Sequence, residues 1–490
     1  MKHRLLFSVL SFCTLFSLTD PVAAQDFLPT DYLSKEFHKG RREAARALMP
    51  DNSLMVVFAA PSRTYSNDVE YHYHQNPDLY YFTGYKEPQA VLFLFKENQK
   101  TADGQEFNEL FFVRPKNELR ERWDGRRLGE SGVKEKLGFK QVESIESLSA
   151  YNLDLSPFSK LLIYTPEDIP TAAEKDTAGK SAGLYAQLLQ LKQAYNKEGA
   201  VNSNKIDTKT YVDITGQLRV IKTPEELALL RKAVEISCQG QNEVMKSIRP
   251  NMSELEIQGL HEYIHKRYGA ESVGYGSIVG SGANGCILHY VENSKTQIGK
   301  EMILMDVGAE YHGYTADVTR TIPADGKFSA EERAIYQLVY DAQEAAFKTL
   351  KNGSTWNAAN AAARNTIAQG LMKLGIIKEE REVRQYYPHG LGHHIGLDVH
   401  DRGPYDTLKK NMVITIEPGI YIPPNSKCDK KWWGIAVRIE DDMLITENGY
   451  EMLSSHAPRS IEAIEKMIAE KSVLDNYHLP ALPSANKKAF

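Results

Sequence analysis

The chain has 490 residues, of which 42% are hydrophobic and 25% are charged. These proportions are typical of a folded globular protein and exclude a disordered or fibrous one, and the length predicts about two or three domains. The 59 Lys and Arg residues against 64 Asp and Glu residues give a net charge of −5. This balance excludes the strongly basic surface of a nucleic-acid-binding protein, so no nucleic-acid partner is expected.

The only long apolar segment lies at the N-terminus. A basic start at residues 2–4 precedes an apolar run from Leu5 to Leu18, and small residues end the segment at Ala24. This order predicts a secretory signal peptide over residues 1–24. The alternative, an uncleaved anchor, is disfavoured because about 14 apolar residues fall short of the roughly 20 that cross a bilayer. The sequence therefore predicts export, to the periplasm or outside the cell, with no membrane attachment after cleavage.

The next part of the chain, up to residue 170, has a mixed α/β pattern. A short helix is predicted at 37–48, and apolar runs of strand length lie at residues 53–60, 90–95, 109–113 and 161–164. Residues 171–217 are interpreted as a helix and linker between two domains. Within them, 172–194 suits a helix, and 195–212 is polar and aperiodic.

The second half opens with marked helix starts. Capping residues and first-turn acids lie at Thr223-Pro224-Glu225-Glu226, at Ser253 with Glu256, and at Ser329 with Glu332. Residues 355–374 predict a fourth helix, and strands are predicted at 302–309, 314–321, 412–417 and 434–446. Because helices and strands do not alternate strictly, the pattern favours an α+β fold over a doubly wound sheet.

Two short motifs match the sequence signatures of other classes of protein, a dinucleotide-binding protein and a zinc protease. Residues 280–285 contain a literal GxGxxG, but a dinucleotide fingerprint needs a following helix. Residues 286–290 (CILHY) favour a strand, so a glycine-rich turn between strands is expected. His261, Glu262 and His265 form a literal HExxH, which can hold zinc on a helix. His261 falls at the edge of the apolar stripe and no third ligand is named, so a packed histidine is favoured over a zinc protease.

Two aspartates in the second half are spaced for a hairpin. Asp306 and Asp317 flank His312-Gly313, and a turn there would place both carboxylates on one face. Two carboxylates this close repel each other unless a cation lies between them. Two unrelated exposed aspartates remain the alternative at this point.

A histidine-rich segment follows at residues 387–401, YPHGLGHHIGLDVHD. It holds four of the chain's 14 histidines, and its glycines let the backbone approach a site closely. Glu417 then lies in TIEPG and Glu440 in VRIEDD, each an acid within an apolar strand, where a lone carboxylate would be costly. Two Asp, one His and two Glu make an oxygen-rich set that favours two divalent ions, Mn²⁺ before Zn²⁺.

At these residues the sequence resembles the Xaa-Pro aminopeptidase (aminopeptidase P) family, with prolidase and methionine aminopeptidase as more distant relatives. Five segments match in order: SGANGCILHY, MDVGAEYHGYTADVTRTIP, HGLGHHIGLDVHD, TIEPGIYIPP and GIAVRIEDD. Residues 55–92 and GRRLGE at 125–130 resemble the family's N-terminal domain. The resemblance spans about residues 27–470, and the tail at 471–490 matches nothing recognised.

The resemblance implies a set of site residues. The family's metal ligands fall on Asp306, Asp317, His393, Glu417 and Glu440. Its substrate and transition-state histidines fall on His289, His389 and His400, and Arg438 matches the arginine that supports the metal-bound acids. His394 departs from the family pattern and is not expected to be a ligand. Trp123 falls where relatives place a tryptophan that reaches a neighbouring subunit's site.

The same resemblance implies a fold, cofactors and an activity. It implies an N-terminal aminopeptidase P-like domain (27–170) and a C-terminal pita-bread domain (218–470). It also implies a homodimer or homotetramer with two divalent ions, Mn²⁺ first and Zn²⁺ or Co²⁺ as alternatives. The expected reaction releases the N-terminal residue from peptides with proline second, with Glu417 as proton shuttle. The alternatives are a prolidase for Xaa-Pro dipeptides and a non-catalytic binding protein on the same fold.

Overall fold

The computed structural model describes residues 29–101, 103–164, 188, 190 and 205–476. The predicted signal peptide, most of the helix predicted at 172–194 and residues 477–490 of the tail lie outside the described residues. The described residues from Leu33 onward belong to one compact unit. Within the described stretches, no helix combines the length and apolar character needed to cross a bilayer.

The N-terminal part is built around a five-stranded sheet in the order β6-β5-β4-β1-β7. Its elements in chain order are α1 (Lys35–Leu48), β1 (Ser53–Phe58), β2 (Thr64–Ser66), β3 (Val69–Glu70), α2 (Pro77–Thr83), β4 (Val91–Lys100), β5 (Glu106–Val113), α3 (Glu118–Asp124), α4 (Gly129–Gly132), β6 (Val142–Ser144) and β7 (Lys160–Leu162). Side chains from both faces of β1 and β4 are buried in two separate apolar clusters. This two-sided burial explains why the strands read as continuous apolar runs.

The C-terminal part combines long helices with small antiparallel sheets. Its elements are α5 (Thr208–Val220), α6 (Pro224–Ser247), α7 (Glu254–Arg267), β8 (Ser272–Val273), β9 (Ile278–Ser281), β10 (Met302–Val307), β11 (Ala309–Tyr311), β12 (Tyr314–Thr315), β13 (Val318–Pro323), α8 (Ala330–Phe347), α9 (Trp356–Lys373), β14 (Val413–Ile416), β15 (Gly419–Ile422), β16 (Ile435–Arg438), β17 (Asp441–Ile445), β18 (Tyr450–Met452) and α10 (Ile461–Ile468). The predicted α+β class is confirmed.

The long helices begin at the capping residues that the sequence predicted. The Thr223 hydroxyl accepts from the Glu226 amide at 3.3 Å, and the Glu226 carboxylate accepts from the Thr223 amide at 2.8 Å. Ser329 and Glu332 form the same reciprocal pair at the start of α8. Satisfying two orphan amides in this way fixes both helix starts.

Three of the predicted long strands are broken in two. Residues 302–309 divide into β10 and β11 at Gly308, where a Cβ atom would lie 2.0 Å from the Ala316 carbonyl oxygen. Residues 314–321 divide into β12 and β13 at Ala316-Asp317, and 434–446 divide into β16 and β17 at Ile439-Glu440. The chain passes from one sheet to another at these points. Asp317 and Glu440 therefore lie outside regular strand geometry.

Two local expectations were wrong. Residues 208–212 belong to α5 rather than to a linker, because the Asp207 carboxylate caps that helix by accepting from the Thr210 amide at 2.9 Å. Residues 286–290 form no strand after the glycine-rich turn. The turn itself, a short 3₁₀ segment at Gly282–Cys286, follows β9 as expected.

The HExxH histidines lie inside the protein. His261 is 0% exposed and His265 is 1% exposed, and both rings pack against Gly240 of α6. Neither ring nitrogen of either residue has a hydrogen-bond partner among the described residues. In that same part of the chain, neither histidine belongs to a group of potential metal ligands. The interpretation as packed histidines is therefore favoured by the structure.

We predict that this buried histidine pair makes the folded protein less stable in acid. Burial lowers the pKa of His265 to about 4, and burial and the neighbouring His265 lower the pKa of His261 well below its ordinary value of 6.5. Below pH 6.5 these histidines therefore bind protons in the unfolded chain but stay neutral in the folded chain. The free energy of unfolding consequently decreases as the pH falls from 6.5 to 4. For His265 the loss approaches about 3 kcal/mol. We expect His265→Gln to reduce the difference between urea-unfolding free energies measured at pH 7.5 and 4.5.

The control for this prediction is His456→Gln, because His456 is exposed. That variant should keep the pH dependence of the wild-type chain. If the unfolding free energy changed by the same amount between pH 7.5 and 4.5 in the wild type and in His265→Gln, the buried ring would not be the cause of the acid sensitivity.

Candidate metal centre

The predicted site residues meet in one cavity of about 490 Å³ in the C-terminal part. Its lining contains every residue singled out as a ligand or catalytic group: His289, Asp306, Asp317, His389, His393, His400, Glu417, Arg438 and Glu440. These side chains come from separate stretches of the chain. The fold therefore brings together polar side chains that are far apart in the sequence.

Asp306 and Asp317 share a hydrogen-bond donor. The Tyr275 hydroxyl lies 2.6 Å from Asp306 Oδ1 and 2.5 Å from Asp317 Oδ1. In the antiparallel ladder of β10 and β13, Asp306 is paired with Thr319, two residues beyond Asp317. The two carboxylates therefore meet at one hydroxyl, although Asp306 lies opposite Thr319 and not opposite Asp317, as the predicted hairpin would have placed it.

His393 supplies a nitrogen to this group of acids. Its Nδ1 donates to the His394 carbonyl at 3.1 Å, which leaves Nε2 to face the carboxylates. Nε2 lies 3.4 Å from Asp317 Oδ2, 3.3 Å from Glu417 Oε1 and 3.9 Å from Glu440 Oε1. One donor atom from each of Asp317, His393 and Glu440 lies within 4.8 Å of the other two.

Backbone hydrogen bonds hold Glu417 and Glu440 against the segments that carry His393 and Asp317. The Glu417 amide donates to the Leu391 carbonyl at 2.8 Å, and the Glu440 amide donates to the Thr319 carbonyl at 3.1 Å. Glu417 lies directly after β14, and Glu440 lies in the break between β16 and β17. Neither acid therefore lies within a strand, contrary to the expectation for both.

The buried acids carry more negative charge than the protein compensates. Burial, together with the charges of Asp317 and Glu417, raises the pKa of Glu440 well above its ordinary value. Burial and the charge of Asp317 likewise raise the pKa of Glu417 to about 7. Glu440 is 1% exposed, and its Oε1 has no hydrogen-bond partner among the described residues. Divalent cations would satisfy these oxygens, so the residues present fit a metal centre.

His393 and Asp317 partly neutralise each other. Burial alone lowers the pKa of His393, but its contact with Asp317 and the charge of Glu417 outweigh burial and raise it to about 9. Burial raises the pKa of Asp317, but the hydrogen bond and charge of His393 leave it below its ordinary value. The imidazole of His393 and the carboxylate of Asp317 therefore each stabilise the charged form of the other.

The three other predicted histidines line the same cavity. The ring of His400 meets the ring of His393 edge to face, with 4.4 Å between centroids. His389 Nδ1 donates to the Gly390 carbonyl at 2.7 Å, so its Nε2 accepts from the Tyr421 hydroxyl at 2.8 Å. His394 does not line the cavity; its Nε2 donates to the Pro404 carbonyl at 2.9 Å.

Arg438 connects Asp306, through the Tyr421 hydroxyl, to His389. One of its nitrogens, Nη2, donates to Asp306 Oδ2 at 2.5 Å, and Nη1 donates to the Tyr421 hydroxyl oxygen at 2.8 Å. The side chain is buried at 3% exposure. Arg438 therefore holds the Asp306 carboxylate and the Tyr421 hydroxyl, the hydrogen-bond partner of His389, in fixed positions.

Sequence reasoning missed three residues of this site. Tyr275 bridges two aspartates, Tyr421 links Arg438 to His389, and the Thr319 hydroxyl donates to Glu440 Oε2 at 2.6 Å. None has a side chain typical of a metal ligand, and each lies in or near a strand that looks structural. Tyr275, between two glycines, was the only one with an unusual local pattern.

Comparisons with known proteins agree with this geometry. Residues 228–447 match metallopeptidase family M24, and residues 38–160 match the N-terminal domain of aminopeptidase P. The chain is 36% identical to the Xaa-Pro aminopeptidase of Escherichia coli over 448 residues, which cover 89% of this chain and 98% of that protein.

Solved structures extend the likeness to the whole fold. The structures of E. coli aminopeptidase P with the inhibitor Pro-Leu and of Pseudomonas aeruginosa aminopeptidase PepP give TM-scores of 0.76 and 0.77. Each is 33% identical, and each comparison covers 89% of this chain and 98% of the other. The predicted combination of an aminopeptidase P-type N-terminal domain and a pita-bread domain is confirmed. With this identity across nearly the full length of its relative, the chain belongs to the Xaa-Pro aminopeptidase family, within metallopeptidase family M24.

Proposed function

We propose that the chain is a metal-dependent exopeptidase that releases the N-terminal residue from peptides with proline in second position. The observation that carries this proposal is the convergence of Asp306, Asp317, His393, Glu417 and Glu440 in one cavity. The N-terminal domain type and the full-length similarity to an Xaa-Pro aminopeptidase favour this function over a prolidase. The complete ligand set disfavours a non-catalytic binding protein.

These five side chains would hold two divalent ions. Four carboxylates and one imidazole suit hard or borderline cations, and we propose Mn²⁺ as the native ion, with Zn²⁺ and Co²⁺ as alternatives. When bound, such a pair lowers the pKa of a water molecule and polarises the substrate carbonyl. Arg438 and Tyr275 keep the carboxylates oriented through their hydrogen bonds to Asp306 and Asp317.

The remaining chemistry falls to the side chains of the cavity. The bond before proline is a tertiary amide without an N–H, so the protein cannot hold it by that donor. His289 and His400 would donate hydrogen bonds to the carbonyl oxygen as negative charge develops on it. Glu417 would take the proton of the attacking water and pass it to the proline nitrogen, which can then leave.

The deciding experiment compares peptides of two lengths. The purified mature chain is treated with chelator, reloaded with Mn²⁺, Zn²⁺ or Co²⁺, and given Xaa-Pro-Xaa and Xaa-Pro substrates. We expect cleavage of the tripeptide, loss of activity on chelation, and the greatest recovery with Mn²⁺. Cleavage of the dipeptide alone would identify a prolidase, and a reloaded protein inactive on both would favour the binding protein.

We also propose that the protein forms a homodimer or homotetramer. Trp123 is 90% exposed and Leu119, one turn earlier on α3, is 71% exposed. Two large apolar side chains on one exposed helix face suit a contact between subunits. Light scattering of the mature protein should give a mass above that of one chain, and a monomer would contradict the proposal.

Export is a further proposal, which rests on residues 1–24. The basic start, the short apolar run and the small residues at the end support it. Mass spectrometry of protein from the native cells should find an N-terminus at Gln25. An intact Met1 would contradict cleavage.

A further inference from the structure

A cluster of six charged side chains joins the two domains beside the metal centre. It has three cations and three anions: Arg219, Lys222, Arg402, Asp78, Asp398 and Asp401. Most of it is buried, with Asp78 and Arg219 each 2% exposed and Lys222 1% exposed. Even when buried charges are paired, the cost of removing them from water offsets most of their attraction, so the arrangement calls for an explanation beyond stability.

Arg219, in the last turn of α5, is the centre of this cluster. Its Nη1 donates to Asp78 Oδ1 at 2.8 Å, which ties it to α2 of the N-terminal domain. Its Nη2 donates to Asp398 Oδ2 at 2.8 Å and lies 2.6 Å from Asp401 Oδ1. One guanidinium group therefore holds three carboxylates from two domains, which the planar fork of arginine allows and the single ammonium of lysine does not.

The two acids held by Nη2 lie on either side of His400. Asp398 precedes this histidine by two residues and Asp401 follows it directly. The Asp401 amide also donates to the His394 carbonyl at 2.8 Å. The His400 side chain itself lines the catalytic cavity. Arg219 thus holds both ends of the short segment that carries His400, without contacting the cavity itself.

The backbone makes room for this arrangement at Gly396. A Cβ atom there would lie 2.1 Å from Asp401 Oδ2 and 3.1 Å from Lys222 Cε. Any side chain at this position would push the Asp401 carboxylate out of the cluster. The requirement for glycine shows that the position of Asp401 is built into the fold.

We propose that Arg219 is a positioning residue for the hydrolytic reaction, and that it acts by holding His400 in place through Asp398 and Asp401. This inference rests on the proposed function, because His400 has a role in turnover only if the cavity cleaves peptides. Asp78 and Arg402 hold the guanidinium from the other side: Arg402 Nη1 donates to Asp78 Oδ2 at 2.8 Å. The N-terminal domain therefore contributes to catalysis through the orientation of a histidine in the C-terminal domain.

The test is a double-mutant cycle between Arg219→Lys and His400→Ala, with kcat, KM and bound metal measured for each protein. Arg219→Lys keeps the charge but loses the fork. We expect it to lower kcat on the order of 10²-fold, as a displaced catalytic group would, with KM changed by less than about threefold and metal content unchanged. In the His400→Ala background the same substitution should change kcat by less than about twofold.

The matched control is Arg42→Lys, since Arg42 is also a buried arginine paired with an acid, Glu109, but lies in the N-terminal domain and does not line the cavity. It should leave kcat unchanged. If Arg219→Lys does not fold, Asp398→Asn replaces it, because the Asp398 side chain is 44% exposed. That variant should lose kcat several-fold in the wild-type background and nothing in His400→Ala.

Four outcomes overturn the proposal, and each is distinct from failure of the proposed function. Equal losses of kcat in both backgrounds would show a general structural role. Loss of metal in Arg219→Lys would show an effect on the metal ligands instead. Unchanged kcat in Arg219→Lys would remove the positioning role, and unchanged kcat in His400→Ala would remove its target. If the wild-type protein cleaves no Xaa-Pro peptide, the proposed function has failed first.

Discussion

Replacing His393 by alanine is expected to lower kcat/KM by at least on the order of 10³-fold, because metal catalysis contributes several kcal/mol. His393 Nε2 is the nitrogen that lies among the carboxylates of Asp317, Glu417 and Glu440. Without it the site loses both a ligand and the group that orients the Asp317 carboxylate. Metal analysis after reloading with Mn²⁺ and dialysis, together with tripeptide cleavage, measures both losses.

The control for this variant is His261→Ala, which removes a histidine of the competing HExxH motif. His261 is 0% exposed, so its loss should lower stability, and circular dichroism must establish that the variant is folded at the assay temperature. We expect the folded variant to keep its metal and its activity. Activity lost in His261→Ala and kept in His393→Ala would mean that the HExxH helix is the site.

Glu417→Gln is expected to lower kcat by roughly 10²-fold to 10⁴-fold, the usual range for loss of a proton-transferring group. Glutamine has the shape of glutamate but cannot carry the proton to the proline nitrogen. Binding of an Xaa-Pro peptide, measured as inhibition of the residual activity, should weaken by less than about tenfold. Near-normal turnover in this variant would contradict the role of Glu417 as shuttle.

Glu262→Gln is the matched control for that substitution. Glu262 is the acid of the HExxH motif, and its Oε1 accepts from Gln258 at 2.8 Å and from Ser277 at 3.2 Å, outside the metal centre. The same chemical change should therefore leave kcat unaltered. A loss in Glu262→Gln as large as that in Glu417→Gln would make the effect of the latter non-specific.

Helix starts and buried strands were predictable because their signals are local. Thr223 with Glu226 and Ser329 with Glu332 set helix starts within one turn of chain. The apolar run at 53–60 gave β1 because both faces of that strand are buried. The ligand set could be carried over from family motifs, since each motif keeps its residue types in order.

Features that depend on distant contacts were not predictable. The strand break beside Asp317 lies where Gly308 closely approaches the Ala316 carbonyl, and the break at Glu440 lies where its amide donates to the Thr319 carbonyl. Each depends on a contact with another segment, so no local sequence pattern predicts it. The start of α5 inside the expected linker depended on a single cap, Asp207. Tyr275 was missed because its importance comes only from the two carboxylates that fold around it.

The wide spacing of the proposed metal ligands along the chain determines when the site can form during synthesis. Asp306 and Glu440 are separated by 134 residues (440 − 306 = 134), and the Glu440 amide donates a hydrogen bond to the Thr319 carbonyl in β13. Contacts so far apart in sequence require the closure of a long loop, which costs entropy and slows folding. A ribosome-bound chain that has not yet emerged as far as residue 440 lacks a complete ligand set. The enzyme therefore becomes able to cut peptides only when its synthesis is almost finished.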